Sequence, residues 1–390
     1  MFTALSLGLF SVAFAQDDLI NKVKDNGGES SEGYKFETIV DIEATPVKDQ
    51  GRSGTCWSYA TTSFVESEMI RMGKEPVDIS EMFTVRMVYL DKAEKYVRLH
   101  GYLNFGQGGA LPDVMHVLKK YGAVPQEVYE GLDYGTEKNN HGELESILKA
   151  QLEQVVKNPN KTLTKSWKVA FEATLDAYLG AYPETFKWNG KTYTPRSFAD
   201  EVVGVKADDY VQITSFTHQP MFSPVMIQVP DNWTWGLSYN VPVNSMHNVV
   251  DAALTEGYSV GWACDVSEKG FSLKNGLAIV PEKKYSDMTK EERAEMFSAP
   301  KTEMKITQES RQDGYDNYTT TDDHGMQITG MVKDQNGSEY YMVKNSWGER
   351  ENDNRSGYIY ASKAFFDYKT ISVLMHKDAL PKDVKKKLSL

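Results

Sequence analysis

The segment that leads into Cys56 constrains this chain more than any other part of its sequence. Residues 50–57 are QGRSGTCW, so a loop of small residues runs directly into apolar residues at helical spacing. Gly73 supplies a stop signal at the far end of that pattern. A thiol at a helix N-terminus lies near the positive end of the helix dipole and near unpaired backbone N–H groups, which favour the thiolate. The sequence therefore predicts a helix that begins at Cys56 and a cysteine that acts as a nucleophile.

The same pattern predicts which side of this helix is buried. The apolar positions share one face and comprise Trp57, Ala60, Phe64 and Val65. The charged positions that face elsewhere are Glu66, Glu68 and Arg71. We therefore expect an amphipathic helix with one buried face.

A cysteine nucleophile needs a base, and His324 is the strongest candidate among the seven histidines. It follows an acidic turn, in the run TTTDDHGM at 319–326, and begins a strand-like alternation. His247 is the rival base, but it falls on an apparent amphipathic helix without an orienting motif, which favours packing or a surface position. Asp322 and Asp323 either raise the pKa of the imidazolium by proximity or form a solvated turn, and the second interpretation is slightly preferred.

A second motif, NSWG at 345–348, follows the strand pattern of residues 340–344. An asparagine amide can accept the imidazole N–H and fix its tautomer, and a neighbouring tryptophan can shield that bond from water. Gln50 could direct its side-chain NH₂ at the negative charge that develops on a scissile carbonyl. The sequence thus predicts Asn345 as the orienting residue, Trp347 as its shield, and Gln50 with the backbone N–H of Cys56 as an oxyanion hole.

These motifs, in this chain order, resemble those of papain-like cysteine peptidases. Within that superfamily the chain is most similar to the bleomycin hydrolase and aminopeptidase C branch. The closer resemblance is carried by residues 215–220, 229–233, 239–243 and 319–326, and it covers nearly all of the chain after the first few dozen residues. It implies an α+β, papain-like two-lobe fold, with a helical lobe, a β-barrel-like lobe and a helical insertion. It also implies peptide hydrolysis through a thioester acyl-enzyme, which needs no cofactor.

The chain departs from the family pattern at three places. Papain has a disulfide-bonded cysteine where this chain has Ser53, and the aminopeptidase branch dispenses with it. Cys56 and His324 are 268 residues apart, against roughly 130–150 in the secreted papain-like enzymes, so more than a hundred residues are inserted. Relatives carry a longer C-terminal tail whose last residues lie in the cleft, whereas this chain stops at Leu390. The shortened tail puts the usual exopeptidase geometry in doubt.

The resemblance and the composition together divide the chain into five parts. These are a signal peptide at 1–15, a loose N-terminal segment at 16–42, a helical lobe at 43–139, a helical insertion at 140–210 and a β-rich lobe at 211–390. Gly108 and Gly109 in the helical lobe resemble the family's glycines that pair with the substrate main chain, although a simple helix-entry turn is the alternative. The insertion is expected to be an arm used in homo-oligomer assembly, for instance of a hexamer. The alternative is a subdomain that packs on its own lobe.

The net charge and the N-terminal sequence limit which partners and which location we expect for the protein. The net charge of −12 argues against a nucleic-acid surface and favours neutral or basic peptide substrates. A short apolar run ends in Ala-x-Ala at Ala15, which predicts export to the periplasm or outside the cell, with cleavage after Ala15. An apolar first helix is the alternative. No stretch is long enough for a membrane span, and no cluster has metal-ligand spacing.

The chain contains only two cysteines. A bond between them would consume the nucleophile, so we expect no structural disulfide, with Cys264 as a small buried residue in an apolar strand. The preferred hypothesis is an exported cysteine aminopeptidase, and a papain-like endopeptidase is the alternative. A non-catalytic assembly or binding protein on the same fold is a third hypothesis. A non-catalytic protein of this kind would be expected to lack the cysteine, the histidine or the asparagine, and this sequence has all three.

Overall fold

The computed structural model describes residues 19–20, 23, 33–349 and 355–390. The predicted signal peptide, residues 1–15, lies outside the described residues. In the described part the chain forms a helical lobe and a β lobe, each with a hydrophobic core of its own.

Helix α1 spans Cys56–Arg71, so it begins at the residue that the sequence indicated, and Gly73 follows its end with φ 71°. The expectation of one buried face is wrong, because the helix is buried on all sides from its first residue to Met69. Glu66 accepts hydrogen bonds from the Thr45 hydroxyl and the Ile79 backbone. Glu68 is paired with Arg71. Because α1 lies between the two lobes, neither of its long sides faces solvent.

The helical lobe is built from α1 and four further helices, which are α2 (Glu81–Arg98), α3 (Pro112–Lys120), α4 (Gly142–Val156) and α5 (Ser166–Leu179). The core side chains of α4 and α5, such as Leu148 and Leu175, are fully buried in the same cluster as those of α1. These two helices belong to the predicted insertion, and they pack on the helical lobe rather than extend from it.

The predicted insertion is not wholly helical. Strands β2 (Phe186–Trp188) and β3 (Lys191–Tyr193) pair as an antiparallel hairpin. Asn189 and Gly190 connect them with φ of 46° and 77°, as a tight two-residue hairpin turn requires. A short helix, α6 (Pro195–Phe198), follows.

The β lobe is one mixed sheet. Its strands are β1 (Glu37–Asp41), β4 (Tyr210–Thr214), β5 (Ser223–Met226), β6 (Leu237–Asn240), β7 (Val260–Cys264), β8 (Phe271–Ser272), β9 (Leu277–Ala278), β10 (His324–Lys333), β11 (Glu339–Lys344), β12 (Tyr358–Ser362) and β13 (Thr370–His376). They follow the order β5-β6-β4-β13-β7-β10-β11-β12-β9-β8, with β1 pairing β10. The accompanying helices are α7 (Val243–Thr255), α8 (Lys290–Ala294), α9 (Gln308–Asp316), α10 (Lys363–Lys369) and α11 (Lys382–Leu388).

Part of the N-terminal segment belongs to this lobe. Strand β1 pairs with β10, and Leu19 and Val23 are buried in the β-lobe core. The structure therefore contradicts the expectation of a loose segment at these positions. Apolar side chains spaced along a polar segment are enough to hold it against a core.

A buried polar network joins the two lobes. Gln327 on β10 accepts a hydrogen bond from Ser63 at 2.6 Å and donates to Ser67 at 2.9 Å, both on α1. At Gly325 an added Cβ would lie 3.2 Å from the Cα of Trp57, so glycine permits the close approach of β10 to the helix. The start of the helix and the start of the strand consequently meet at one end of the interface.

The C-terminal helix α11 lies against the β lobe. Val384 and Leu388 are buried in its core, and the Lys387 ammonium lies 5.0 Å from the Phe222 ring centroid. Within the described ranges, no helix is long and apolar enough to cross a membrane.

Candidate active site

A cleft of about 400 Å³ opens where α1 and β10 begin. Cys56 and Trp57 line it from the helix, and His324 and Gly325 line it from the strand. The structure therefore brings together the predicted nucleophile and the predicted base, which the sequence separates by two thirds of its length.

One ring nitrogen of His324 has a hydrogen-bond partner, and the other has none among the described residues. Its Nε2 lies 2.8 Å from Oδ1 of Asn345, the hydrogen bond that the sequence indicated. The Trp347 ring covers this pair, with its centroid 4.2 Å from that of the imidazole. Since Oδ1 can only accept, Nε2 carries the proton and Nδ1 is the basic atom. Nδ1 is buried and has no hydrogen-bond partner among the described residues, which suits a proton acceptor.

Burial acts against the thiolate that the sequence predicts at Cys56. Burial raises the pKa of its thiol to about 12, and the Asp231 and Asp322 charges add to that effect. The backbone N–H of Gly325 on β10 and that of Trp57 at the helix N-terminus act in the opposite direction, but burial is the larger cause.

Burial also sets the protonation state of the base. It lowers the pKa of His324 to about 4, and the hydrogen bond to Asn345 only partly opposes it. Burial therefore favours the neutral form of both the thiol and the imidazole. An ion pair forms only if the proton passes directly from sulfur to Nδ1, since each new charge then stabilises the other.

Gln50 makes a contact that the sequence did not predict. Its Oε1 accepts a hydrogen bond from the Ser346 hydroxyl at 2.6 Å, and its backbone N–H donates to the Ser346 carbonyl. Its Nε2 donates one N–H to the Ser53 carbonyl at 2.7 Å, which leaves the second N–H for the predicted oxyanion role. Gln50 itself is fully buried and does not line the cleft. It thus ties the loop before α1 to the loop that carries Asn345.

Replacing Gln50 with alanine tests the oxyanion prediction. Loss of one oxyanion donor is expected to lower kcat about 100- to 1,000-fold, with a smaller effect on KM. Ser346→Ala is the matched control, because it removes only the hydroxyl partner of Gln50 and should cost less than about 10-fold. Steady-state kinetics on one peptide substrate gives both numbers. Equal losses in the two variants would indicate that Gln50 acts only by joining the loops.

Gly108 and Gly109 lie in the cleft wall. A Cβ at Gly109 would lie 2.7 Å from the Trp57 indole, and one at Gly108 would lie 2.2 Å from a carboxylate oxygen of Asp231. Packing against the Trp57 ring therefore requires glycine at Gly109, whereas a side chain at Gly108 would displace the Asp231 carboxylate. Their pairing with a substrate main chain stays a prediction.

The rival base and the second cysteine both lie elsewhere. His247 is half-buried, its Nδ1 is 3.1 Å from the Asp367 carboxylate, and it does not line the cleft. Cys264 is fully buried in β7, and both cysteines are free. Among the described residues, no group of three or more His, Cys, Asp or Glu side chains could hold a metal ion.

Sequence reasoning missed part of the cleft. Four carboxylates line it, those of Glu145, Asp231, Asp322 and Asp323. The prediction of a solvated turn at Asp322-Asp323 is wrong, because both residues are half-buried and Asp323 accepts the Val266 N–H at 2.8 Å. Neither is among the causes of the His324 pKa shift. Asp231 belongs to a stretch noted only for its family resemblance, so its chemistry gave no separate signal.

A cysteine on a helix, facing a histidine on a strand across a cleft between a helical and a β lobe, defines the class of papain-like cysteine peptidases. The model of the Peptidase C1-like family matches residues 98–390, and the chain belongs to that family. It is a cysteine peptidase similar to aminopeptidase C and bleomycin hydrolase.

Individual relatives agree with this assignment. Aminopeptidase C of Streptococcus thermophilus is 23% identical over 420 residues, covering 96% of this chain and 89% of the relative. Bleomycin hydrolase of Homo sapiens is 23% identical over 405 residues, covering 90% and 84%. The crystal structure of PepW from Lactobacillus rhamnosis HN001 superposes with a TM-score of 0.71 at 18% identity, covering 97% of this chain and 90% of that one. The last comparison shows that the papain-like fold is shared.

Proposed function

We propose that this protein is an aminopeptidase that releases N-terminal residues through a thioester acyl-enzyme. The observation that carries the mechanism is the geometry of His324, which is bonded to Asn345 through Nε2 and has no partner at Nδ1 among the described residues, in the same cleft as Cys56. The names of the similar aminopeptidases C support the exopeptidase part.

The first half of the reaction forms the acyl-enzyme. Sγ of Cys56 attacks the scissile carbonyl carbon while Nδ1 of His324 takes the thiol proton. The carbonyl oxygen becomes an oxyanion, which the Cys56 N–H and the Gln50 amide stabilise. His324 then returns the proton to the leaving nitrogen, the C–N bond breaks, and a thioester remains on Cys56.

The second half releases the N-terminal residue. The oxygen of a water molecule attacks the thioester carbonyl carbon while neutral His324 accepts a proton from that water. The C–S bond then breaks. The thiolate then recovers a proton from the imidazolium. Asn345 keeps Nδ1 directed at the cleft throughout, because the Nε2–H bond fixes the plane of the ring.

An endopeptidase is the second candidate, and one observation favours it. The described C-terminal residues pack on the β lobe and do not line the cleft, so they do not block an extended peptide. Export and homo-oligomer assembly remain proposals that are supported by the sequence pattern of residues 1–15 and by the family resemblance.

Matched substrates separate the two candidates. An aminopeptidase is expected to hydrolyse leucyl-aminomethylcoumarin with a kcat/KM at least about 100-fold above that of its N-acetylated form, because the acetyl group removes the ammonium charge. The Cys56→Ala variant supplies the background rate. Equal hydrolysis of the two substrates would overturn the aminopeptidase assignment and leave a cysteine endopeptidase.

A further inference from the structure

We propose that Asp231 and Asp322 form the subsite that binds the α-ammonium group of the substrate. The inference rests on the proposed aminopeptidase function and names the residues that would give this cleft its exopeptidase preference.

The lining of the cleft is strongly acidic. It contains four carboxylates, and no lysine or arginine is among its described residues. Two of the carboxylates have structural partners, because Glu145 accepts the Gln107 side-chain N–H at 2.7 Å and Asp323 accepts a backbone N–H. The other two, Asp231 and Asp322, remain for a ligand.

Asp231 and Asp322 are poorly satisfied by the protein. Asp231 accepts one hydrogen bond, from the Asn104 amide at 3.2 Å, and feels the buried Lys92 ammonium. Lys92 is itself occupied by the carbonyls of Gly106 and Gly108. Asp322 has neither a hydrogen bond nor an ion pair in the described part of the chain. Half-buried carboxylates with so few partners are costly unless a ligand supplies further opposite charge.

The two carboxylates line the same cleft as Cys56 and His324. Both charges act on the Cys56 thiol. The Asp231 carboxylate lies against Gly108, on the helical side of the cleft, whereas Asp322 is two residues before His324 on the strand side. The α-nitrogen of an N-terminal residue is two bonds from the carbonyl carbon that sulfur attacks, so its binding groups must lie this near the thiol.

A second observation marks the same cleft as a ligand site. Nδ1 of His324, a residue only 2% exposed, has no partner among the described residues. Buried polar atoms are nearly always hydrogen-bonded, so an unpaired one on a cleft wall indicates that a bound molecule completes the site. The ligand must therefore lie next to the histidine, in the cleft that both carboxylates line.

The electrostatics explain how an ammonium would be selected. Burial raises the pKa of Asp322 to about 8, and repulsion from Asp231 and Asp113 adds to it. Burial likewise raises the pKa of Asp231, against the effects of Lys92 and Asn104. Before a substrate binds, the pair therefore holds a proton near pH 7. An incoming ammonium relieves the repulsion between the two carboxylates, and the proton that they held leaves to solvent. An acylated nitrogen carries no positive charge and cannot relieve this repulsion.

The test compares Asp322→Asn and Asp231→Asn with the wild type on three substrates. These are leucyl-, N-acetyl-leucyl- and N-acetyl-lysyl-aminomethylcoumarin, which offer an α-ammonium, no ammonium and a side-chain ammonium. Each variant is expected to lower the free-to-acetylated ratio of kcat/KM for leucine at least about 10-fold, mainly through KM. Asp313→Asn, at an exposed position of α9, is the matched control and should keep the wild-type ratio. Titration of active sites with an irreversible thiol inhibitor corrects each value for the folded fraction.

Three results would contradict the proposal, and they are distinguishable. If the wild type prefers the free amine and both variants keep that preference, the ammonium subsite lies elsewhere. If the wild type prefers N-acetyl-lysine and the variants lose that preference, the carboxylates bind a side chain instead. If the wild type shows no preference for the free amine, the aminopeptidase function itself is overturned together with the subsite.

Discussion

Replacing Cys56 with alanine is expected to abolish peptide hydrolysis and to leave the fold intact. Removal of a catalytic nucleophile typically costs about 10⁴- to 10⁶-fold in kcat, and no other described group on the cleft wall is a thiol. The change deletes one sulfur atom at the first residue of α1, where alanine is an excellent helix former. Hydrolysis of a fluorogenic peptide gives the rate, and thermal unfolding checks the fold.

Cys264→Ala is the matched control for that experiment. It removes the only other cysteine, which is buried in β7 and does not line the cleft, so full activity is expected. Retained turnover in Cys56→Ala, or its loss in Cys264→Ala with the fold unchanged, would contradict the assignment of the nucleophile.

Replacing His324 with alanine is expected to have an effect nearly as large, about 10³- to 10⁵-fold in kcat/KM. The reason is the protonation state of the pair. Burial holds the thiol neutral, so without Nδ1 to accept its proton the sulfur cannot become a nucleophile at pH 7. The effect should diminish at high pH, where hydroxide removes the thiol proton directly, and a pH–rate profile up to pH 10 measures this recovery.

His247→Ala separates this role from a general effect of losing an imidazole. His247 interacts with Asp367 outside the cleft, and that bond raises its pKa, so its removal should change activity less than about 3-fold. A His324→Ala variant with near wild-type activity, or a His247→Ala variant that is inactive yet folded, would show that the base is misassigned.

Local patterns were enough to predict the reacting residues. The small-residue loop before Cys56 marks a helix start, and α1 begins there. The acidic turn before His324 and the strand before Asn345 place both residues at strand ends, as β10 and β11 show. The contact between Nε2 and Oδ1 follows because β10 and β11 are antiparallel neighbours in the sheet.

Tertiary burial explains what the sequence did not reveal. Glu66 and Glu68 look like surface positions in a helical pattern, but a helix enclosed by two lobes buries them with partners from distant segments, Thr45 for Glu66 and Tyr210 for Glu68. Burial also acts against the predicted thiolate at Cys56, since dipole arguments are local whereas desolvation depends on the whole site. Asp231 and Asp322 are 91 positions apart in the sequence, and their interaction comes from the tertiary fold. No periodic pattern in the sequence predicts it.

The most direct test of the central role of Cys56 is chemical labelling. The protein is treated at pH 7 with an epoxysuccinyl thiol inhibitor, and its intact mass and peptide map are measured beside residual activity. We predict one adduct per chain, on Cys56, with activity lost in proportion, because His324 can take the thiol proton as the sulfur attacks. Cys264, with no exposed surface, should stay unmodified. Full inactivation without an adduct on Cys56, or a complete Cys56 adduct with undiminished hydrolysis, would contradict the mechanism.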